Sequence, residues 1–280
     1  MERAVGGAPS TRSEVEHALA AAGAAPDARF PLFEAAISCA LHERPDRSPE
    51  PARLLLDEAT ARLKDRLRSE LPEDALCEAL GGDMRLSGDV ITRDDPTNAD
   101  LISVCDRRKG GAVALGIVYL EAGRRANLKV AGVDFPGHFM LRIETGEGPM
   151  ALDPFAGGRV VMPSELVQRA LATGLPPSAA DRLDRLMAPV KDRQILVRLQ
   201  NVIFARAMRS GDWPLAERSA LRRALLDPAD HRPWLDVAQA REKQGRLSGA
   251  LDALARAQTL EGAEAVAARA ARDRVRLRLN

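Results

Sequence analysis

Residues 107–158 carry the pattern from which the architecture of this chain can be predicted, RRKGGAVALGIVYLEAGRRANLKVAGVDFPGHFMLRIETGEGPMALDPFAGG. Residues 112–126 are mostly apolar, which predicts a helix that is buried on most sides. Gly116 and Gly123 lie seven residues apart on one face of that helix, where they permit close packing against a sheet. The runs after the helix have the composition of β-strands and cover residues 130–133, 139–143 and 150–152. The segment therefore predicts a buried helix packed on a small sheet.

Most of the remaining chain has helical periodicity, interrupted by loops and by a polar, aspartate-rich connection through Asp94-Asp95-Pro96. The clearest predicted helices cover residues 33–42, 51–71 and 163–173. Ser13 is the expected N-cap of a first helix, whereas residues 1–12 are rich in Gly, Ala, Pro and Ser and are expected to be loose. We predict an α+β fold that is mostly helical. Residues 13–180 would hold N-terminal helices and a helix-plus-antiparallel-sheet core, and residues 181–280 would form helical hairpins.

The composition argues against several functional classes. The 280 residues include 41 basic and 40 acidic side chains, so the net charge of +1 provides no field that attracts nucleic acid or anionic lipid. The three cysteines lack disulfide or zinc-ribbon spacing, and the C-x-x-H pattern of Cys39 and His42 lacks the second ligand pair of a structural zinc site. No run approaches the ~20 apolar residues that span a bilayer, and the start does not resemble a signal peptide. We expect a cytoplasmic protein without membrane association, metal or cofactor.

The C-terminal region contains an internal repeat of 34 residues. The pairs with this separation are Gly211 and Gly245, Trp213 and Leu247, Ala216 and Ala250, and Pro228 and Gly262. A glycine between two helices and a small alanine where the helices cross are typical of tetratricopeptide repeats at this spacing. About two repeats are present, whereas roughly three are usually needed for stability. We therefore expect these helices to pack on the N-terminal domain.

Two residues with catalytic chemistry follow the buried helix. His138 lies in F-P-G-H-F and Asp153 in L-D-P-F, and their spacing of 15 residues suits neighbouring strands of one hairpin. The order of helix, strand with His and strand with Asp resembles the transglutaminase-like, papain-related core. That resemblance implies a Cys nucleophile at the amino end of the helix, a His base and an Asp that orients the His. The helix dipole and the imidazole would lower the pKa of such a thiol.

A more specific resemblance is to bacterial SirB-type proteins, which join this core to tetratricopeptide repeats and are regarded as regulators of invasion-gene expression. The motifs that carry it are Arg108-Lys109-Gly110, residues 132–139, residues 153–158 (D-P-F-A-G-G) and Asp95-Pro96-Thr97-Asn98. The resemblance covers roughly residues 30–265 and depends on the ordered set rather than on any single motif. It implies a regulatory role for a transglutaminase-like domain followed by repeats.

The chain departs from a working transglutaminase at the nucleophile. Counting back from the turn that ends the central helix places Ala112 at the nucleophile position, and a methyl group cannot attack an acyl carbon. The SirB-type family typically lacks cysteine at that point as well. Cys105 lies seven residues upstream, about 10 Å along a continuous helix, but Gly110 and Gly111 are expected to interrupt the path. We expect an incomplete triad, with Cys105 as a small apolar residue of the preceding helix.

Two basic segments are candidate binding sites. Arg108 and Lys109, with Asn98 upstream, are candidate binding residues because a basic edge near a helix start suits an anion; a solvated basic turn is the alternative. The arginines of the C-terminal helix are Arg269, Arg272, Arg274, Arg276 and Arg278. They match no nucleic-acid-binding motif and lack interleaved aromatic residues, which favours a capping helix with an exposed basic face over a nucleic-acid site.

These observations favour a non-catalytic function over an enzymatic one. We predict a regulatory or scaffolding protein that binds a protein or peptide through the degenerate cleft, the repeat surface or both. His138 and Asp153 would then serve as a structural or binding pair. The alternative is an amide hydrolase or acyltransferase that uses His138 and Asp153 with Cys105 or without a cysteine. Nucleic-acid binding through the C-terminal arginines is a third hypothesis.

Overall fold

The computed structural model of the protein describes residues 11–260, 271–273 and 275–276, so the predicted loose segment 1–12 falls almost wholly outside the described residues. The helices are α1 (Arg12–Ala24), α2 (Leu32–Glu43), α3 (Glu50–Arg66), α4 (Pro72–Cys77), α5 (Leu101–Arg107), α6 (Ala112–Arg125), α7 (Pro163–Ala172), α8 (Pro177–Ala180), α9 (Leu183–Leu186), α10 (Asp192–Ser210), α11 (Trp213–Leu226), α12 (Arg232–Lys243) and α13 (Leu247–Thr259). The strands are β1 (Ser87–Gly88), β2 (Lys109–Gly110), β3 (Val130–Phe135), β4 (His138–Thr145), β5 (Gly148–Asp153), β6 (Arg159–Val161) and β7 (Pro189–Val190). The predicted α+β class is confirmed. None of the described helices is both long and apolar enough to cross a bilayer.

The strands belong to one of two compact units, which consists of residues 32–37 and 48–195. Five strands form an antiparallel sheet in the order β6-β5-β4-β3-β7, and β1 pairs in parallel with β2. Strands β3, β4 and β5 are consecutive in the chain and adjacent in the sheet, so this part folds as two hairpins. The turn between β3 and β4 is Pro136-Gly137, and Gly137 has φ +71°, as the second central residue of a type II turn requires.

Helix α6 packs on this sheet through its glycines, as their spacing predicts. A Cβ added at Gly116 would lie 2.4 Å from Cε1 of Phe139 on β4, and one at Gly123 would lie 2.9 Å from Cγ2 of Val130 on β3. These separations leave no room for a side chain, so the glycines permit the close approach of helix and sheet. Every residue from 113 to 120 is buried, which confirms the expectation of a helix enclosed on most sides.

Several local features differ from the sequence-based expectation. Strands β1, β2, β6 and β7 contain only two or three residues, which is too short to show an alternating pattern. Strand β7 interrupts the region expected to be helical from residue 181, and α3 ends at Arg66 rather than Leu71. The N-cap of α1 is Thr11 rather than Ser13, because Thr11 and Glu14 form a reciprocal capping box.

The other compact unit consists of residues 1–31, 38–47 and 196–280, of which residues 11–31, 38–47, 196–260, 271–273 and 275–276 are described. Helix α1 packs against α11 in this unit, and a Cβ added at Gly23 would lie only 1.9 Å from the carbonyl oxygen of Leu225. The first helix is therefore grouped with the C-terminal helices. The domain boundary at residue 180 stays a prediction.

The 34-residue spacing recurs in the backbone of this unit. Gly211 and Gly245 have φ +71° and +73°, in the turns that precede α11 and α13. Two residues later Trp213 N donates to Gly211 O at 2.9 Å, and Leu247 N donates to Gly245 O at 3.0 Å. Ala216 and Ala250, at the next related positions, are both fully buried. The two turns are thus equivalent in conformation and hydrogen bonding, while assignment to the tetratricopeptide class stays a prediction.

Candidate functional site

The two hairpins bring His138 and Asp153 together. His138 is the first residue of β4 and Asp153 is the last residue of β5. The pairing of Leu141 with Leu152, continued by one residue, sets Asp153 opposite Met140, which lies on the same face of β4 as His138. The two side chains are diagonal neighbours across the strands. His138 Nε2 is hydrogen-bonded to Asp153 Oδ1 at 2.8 Å.

The carboxylate of Asp153 is buried and accepts hydrogen bonds from four groups. Besides His138, its Oδ1 accepts from the backbone amides of Phe155 at 3.0 Å and Ala156 at 3.4 Å, while its Oδ2 accepts from Arg169 Nη1 at 2.9 Å. Burial opposes ionisation of Asp153, but the hydrogen bonds and charges of His138 and Arg169 outweigh it and hold the pKa of the carboxyl below its usual value. The carboxylate therefore stays ionised and fixes the orientation of the imidazole.

Arg169 is a residue of this site that the sequence did not reveal. It projects from α7 and also donates to Glu165 at 2.7 Å through Nη2, and Glu165 in turn accepts from Arg159 Nη2 at 2.8 Å. These two arginines lower the pKa of Glu165 to about 2. No motif links residue 169 to Asp153, because the contact depends on how α7 packs beside the sheet.

The imidazole of His138 retains one ring nitrogen for other interactions. Its Nε2 is bonded to Asp153, whereas its Nδ1 has no hydrogen-bond partner among the described residues. The side chain is 26% exposed, and its ring meets the edge of Phe155 at 6.2 Å between centroids with an interplanar angle of 85°. The ring is thus positioned as in a catalytic histidine, with its free nitrogen available to a ligand.

Ala112 occupies the amino end of α6, where the resemblance implies a nucleophile. It is the first residue of the helix, it is half-buried, and no side chain caps the helix. The preceding residue, Gly111, donates its backbone N–H to the carbonyl oxygen of Asn98 at 2.8 Å. Amide N–H groups at this end of the helix would stabilise a thiolate, but alanine supplies only a methyl group.

Cys105 does not have the character of a nucleophile. It is 3% exposed within α5, and burial, together with the charges of Asp106 and Asp100, raises the pKa of its thiol to about 12. Arg108, in a left-handed conformation with φ +57°, and strand β2 separate α5 from α6. The thiol therefore remains protonated at neutral pH and lies on a different helix from Ala112.

Cys77 is closer to the Asp153 segment than the sequence suggests. Its Sγ is 3.4 Å from the carbonyl oxygen of Gly157, and a Cβ added at Gly158 would lie 3.2 Å from Cys77 Cα. Burial, with the charges of Glu78 and Asp74, raises the pKa of this thiol. Cys77 is consequently a packing residue against the D-P-F-A-G-G turn, and it too lacks the features of an activated thiolate.

The predicted binding residues separate into a structural residue and two exposed cations. Asn98 is buried; its Nδ2 donates to Thr92 O at 2.7 Å and its Oδ1 accepts from Arg107 Nη2 at 2.7 Å. Asn98 thus ties the 89–97 loop to the amino end of α6. Arg108 and Lys109 are exposed on the connection to that helix.

Arg93 of the same loop lies beside Phe155, the aromatic neighbour of His138. The ring of Phe155 lies so close to Gly88 that a Cβ there would be 2.5 Å from it, and the Arg93 guanidinium carbon is 6.0 Å from the ring centroid. Val90 and Ile91, in the same loop, are 63% and 83% exposed. Phe155 is therefore a neighbour of both this segment and the imidazole.

The remaining sequence-based candidates are the C-x-x-H pattern and the C-terminal arginines. His42, from the C-x-x-H pattern, is fully buried and its Nε2 is hydrogen-bonded to Glu16 at 3.0 Å. The described residues contain no cluster of His, Cys, Asp or Glu suited to a metal ion. Of the C-terminal arginines, Arg272 and Arg276 fall within the described residues, and Arg272 donates to Gln258 at 2.7 Å; the other three lie outside them.

The sequence is similar to a known protein family and to several proteins of other bacteria. A family model described as the transglutaminase-like superfamily matches residues 51–201. Two UPF0162 proteins of Xylella fastidiosa are 32% and 31% identical over 241 residues, which is 82% of this chain and 84% of each relative. A UPF0162 protein of Pseudomonas aeruginosa is 32% identical over 247 residues, 74% of this chain and 88% of the relative. No solved structure matches. The more specific SirB-type identification stays a prediction.

Proposed function

Because this chain belongs to the transglutaminase-like superfamily and to the UPF0162 family, we propose that it is a non-catalytic protein-binding module. In this proposal, the transglutaminase-like cleft holds a peptide segment beside His138 without acyl transfer. The observation that carries the proposal is Ala112 at the first position of α6, where a thiolate would be needed. His138 and Asp153 remain in hydrogen-bonding geometry, but in this proposal they have no nucleophile to activate.

In this proposal, His138 and the residues around it recognise an extended peptide. His138 Nδ1 can form a hydrogen bond with a backbone amide of a bound peptide, and the fixed Asp153 prevents rotation of the ring. Phe155 and the exposed Ile91 offer apolar contacts for the flanking side chains. Because Asp153 holds the imidazole of His138, binding would not have to order that ring first.

The compact unit that contains α11, α12 and α13, called the helical unit below, supports a scaffolding role for the same protein. Helices α11, α12 and α13 follow one another through short turns, and equivalent turns recur at a spacing of 34 residues. Stacked helical hairpins offer extended surfaces for protein segments. The regulatory role and the tetratricopeptide class are part of this proposal, and they depend on the resemblance to SirB-type proteins.

One observation favours a residual enzymatic function as the second candidate. His138 is partly exposed, is oriented by an ionised carboxylate and has a free Nδ1, which is the arrangement of a general base. Without a cysteine at position 112, the reaction would require direct activation of water by His138. Cys105 is a poor substitute because its thiol is buried and its pKa is raised to about 12.

Differential capture of partners by the full-length chain tests the binding proposal. Ala112→Leu places a larger side chain at the half-buried first position of α6, which in this proposal lines the cleft, and Ala61→Leu makes the same change on an exposed position of α3. We expect the first variant to lose a partner that the wild type and the second variant retain, in isotope-labelled affinity purification with folding checked by circular dichroism. Equal capture by all three proteins would contradict the proposal.

Photo-cross-linking locates the bound segment. Benzoylphenylalanine at Ile91, which is 83% exposed, should cross-link to a peptide of the captured partner, and Ala112→Leu should abolish that product. Turnover of an amide or acyl donor by the wild type that disappears in His138→Ala would instead establish the enzymatic alternative.

A further inference from the structure

A cavity in the helical unit has a chemical character that the transglutaminase-like cleft does not explain. It has a volume of about 290 Å³ and lies among the start of α1, the end of α2, the face of α11 and the turn after α12. All of the residues that line it belong to one compact unit. Its wall contains four arginines, Arg12, Arg218, Arg241 and Arg246. Such a concentration of guanidinium groups around a small concavity is a typical oxyanion site.

The carboxylates around the cavity do not balance these arginines. Two glutamates, Glu16 and Glu217, share the wall with the four arginines, which leaves an excess of two positive charges. Outside the wall, Glu43 pairs with Arg218 at 2.5 Å, but it also pairs with the buried Arg222 at 3.2 Å, so these two outer residues cancel. The buried His42 adds no charge, since burial lowers its pKa. The wall itself therefore carries an excess of two positive charges, and the exposed Asp212 outside it also interacts with Arg218.

The arginines of the wall form hydrogen bonds and still have donors to spare. Glu217, which is 10% exposed, accepts from Arg241 Nε at 2.7 Å and Arg246 Nη1 at 2.6 Å. Arg12 uses its Nε for the carbonyl oxygen of His42 at 3.1 Å. A guanidinium has five N–H donors. Within the described residues, Nη2 of Arg241, Nη2 of Arg246 and both Nη groups of Arg12 have no hydrogen-bond partner. The cavity therefore offers several guanidinium donors to a ligand.

We propose that this cavity binds the carboxylates of an acidic peptide segment. Paired carboxylates would match the excess of two charges, and the arginine fork is the group that binds carboxylate in a bidentate manner. The volume is close to the lower end of the ~300–1,000 Å³ range of ligand pockets, which suits one or two side chains rather than a large cofactor. Pro214 and Leu221 supply an apolar wall for the methylene groups of glutamate. No Phe, Tyr or Trp lines it in the described structure, so base stacking has no platform.

Fluorescence polarisation with the full-length protein tests this site, and the test is independent of the cleft at His138. The probe is a fluorescein-labelled tetraglutamate peptide, and tetraglutamine is the uncharged comparison. The double substitution Arg12→Gln and Arg246→Gln should weaken tetraglutamate binding at least tenfold, because it removes donors to charged oxygens. Glu217 would keep Arg241 and Gln244 as partners, so the unit should still fold. The matched control is Arg232→Gln, which removes a 69% exposed arginine of the same unit away from the cavity.

The outcomes separate the proposal from its competitors. Specific binding of tetraglutamate that the double variant loses and Arg232→Gln retains supports the site, and rising salt should weaken it. Equal loss in the control variant, or equal binding of tetraglutamine, overturns the proposal. Inorganic phosphate binding without tetraglutamate binding would show a simple anion site and overturn the peptide assignment. Tighter, arginine-dependent binding of a single-stranded oligonucleotide would overturn it as well. The substituted residues lie in α1, in α12 and in the turn before α13. A negative result would therefore overturn this site without contradicting the proposed function of the cleft.

Discussion

Restoring a cysteine at position 112 is the sharpest perturbation of the cleft. Ala112 is the first residue of α6, and His138 is held by a buried carboxylate on the neighbouring hairpin. If Ala112 occupies the nucleophile position, the thiol of Ala112→Cys will experience both the helix dipole and the imidazole. Those influences lower thiol pKa values from about 8.5 to about 3.5–7.5 in natural sites. We expect the Ala112→Cys thiol to fall in that range.

The expected magnitude follows from two opposing effects. A pKa lowered by about two units raises the thiolate fraction at pH 6.5 from roughly 1% to roughly 50%. The intrinsic nucleophilicity of a thiolate falls with its pKa by a Brønsted coefficient of about 0.4–0.5, which costs about 6–10-fold over two units. The net prediction is alkylation about 5–8-fold faster than an ordinary thiol at pH 6.5. At pH 9, where most of either thiol is ionised, the order should reverse.

The assay is the pH dependence of iodoacetamide alkylation at residue 112, followed by peptide mass spectrometry. Ser164→Cys is the matched control, because it places an exposed thiol in the first turn of α7. That control separates the helix dipole from the imidazole. Adding His138→Ala to Ala112→Cys should shift the profile towards that of the control. An ordinary thiol profile for Ala112→Cys, unchanged by His138→Ala, would refute the placement of Ala112 beside the imidazole.

Two further predictions concern the structure around the cleft. Asp153→Asn should reduce the free energy of unfolding by about 2–4 kcal/mol at pH 7, because it removes a buried charge that four donors satisfy. Since the folded pKa of Asp153 lies below the unfolded value of about 3.9, its contribution is present above that pH and is lost as the pH falls through the folded pKa. The difference between wild type and variant in urea titrations should therefore shrink below about pH 4. Gly116→Ala should cost about 1–3 kcal/mol in the same measurement, because the new methyl would meet an aromatic ring at 2.4 Å. Gly146→Ala, with nothing within 4 Å, is the control and should change stability by less than about 0.5 kcal/mol.

The central helix and the two hairpins could be predicted from sequence because their signals are local. An uninterrupted apolar run makes α6 recognisable, and the spacing of Gly116 and Gly123 indicates the face that meets the sheet. His138 and Asp153 are close in the chain and joined by hairpins, so their spacing alone indicates that they lie on neighbouring strands.

The features that could not be predicted depend on distant contacts. Arg169 reaches Asp153 from α7, and Cys77 packs on the turn at Gly157, 80 residues away. Neither contact leaves a periodic or compositional trace. The grouping of α1 with α11 likewise depends on packing between helices far apart in the chain, including the close approach at Gly23. The short edge strands were missed for a different reason, since two or three residues cannot display an alternating pattern.

Thiol labelling of the wild-type protein tests most directly whether the cleft lacks a nucleophile. The native protein is treated at pH 7 with a limiting amount of iodoacetamide, and modification of Cys39, Cys77 and Cys105 is quantified by mass spectrometry in the wild type and in His138→Ala. We predict that Cys105 stays unmodified until the protein unfolds, because its thiol is buried and its pKa is about 12, and that His138→Ala changes nothing. Rapid, selective modification of Cys105 that disappears in His138→Ala would contradict the account.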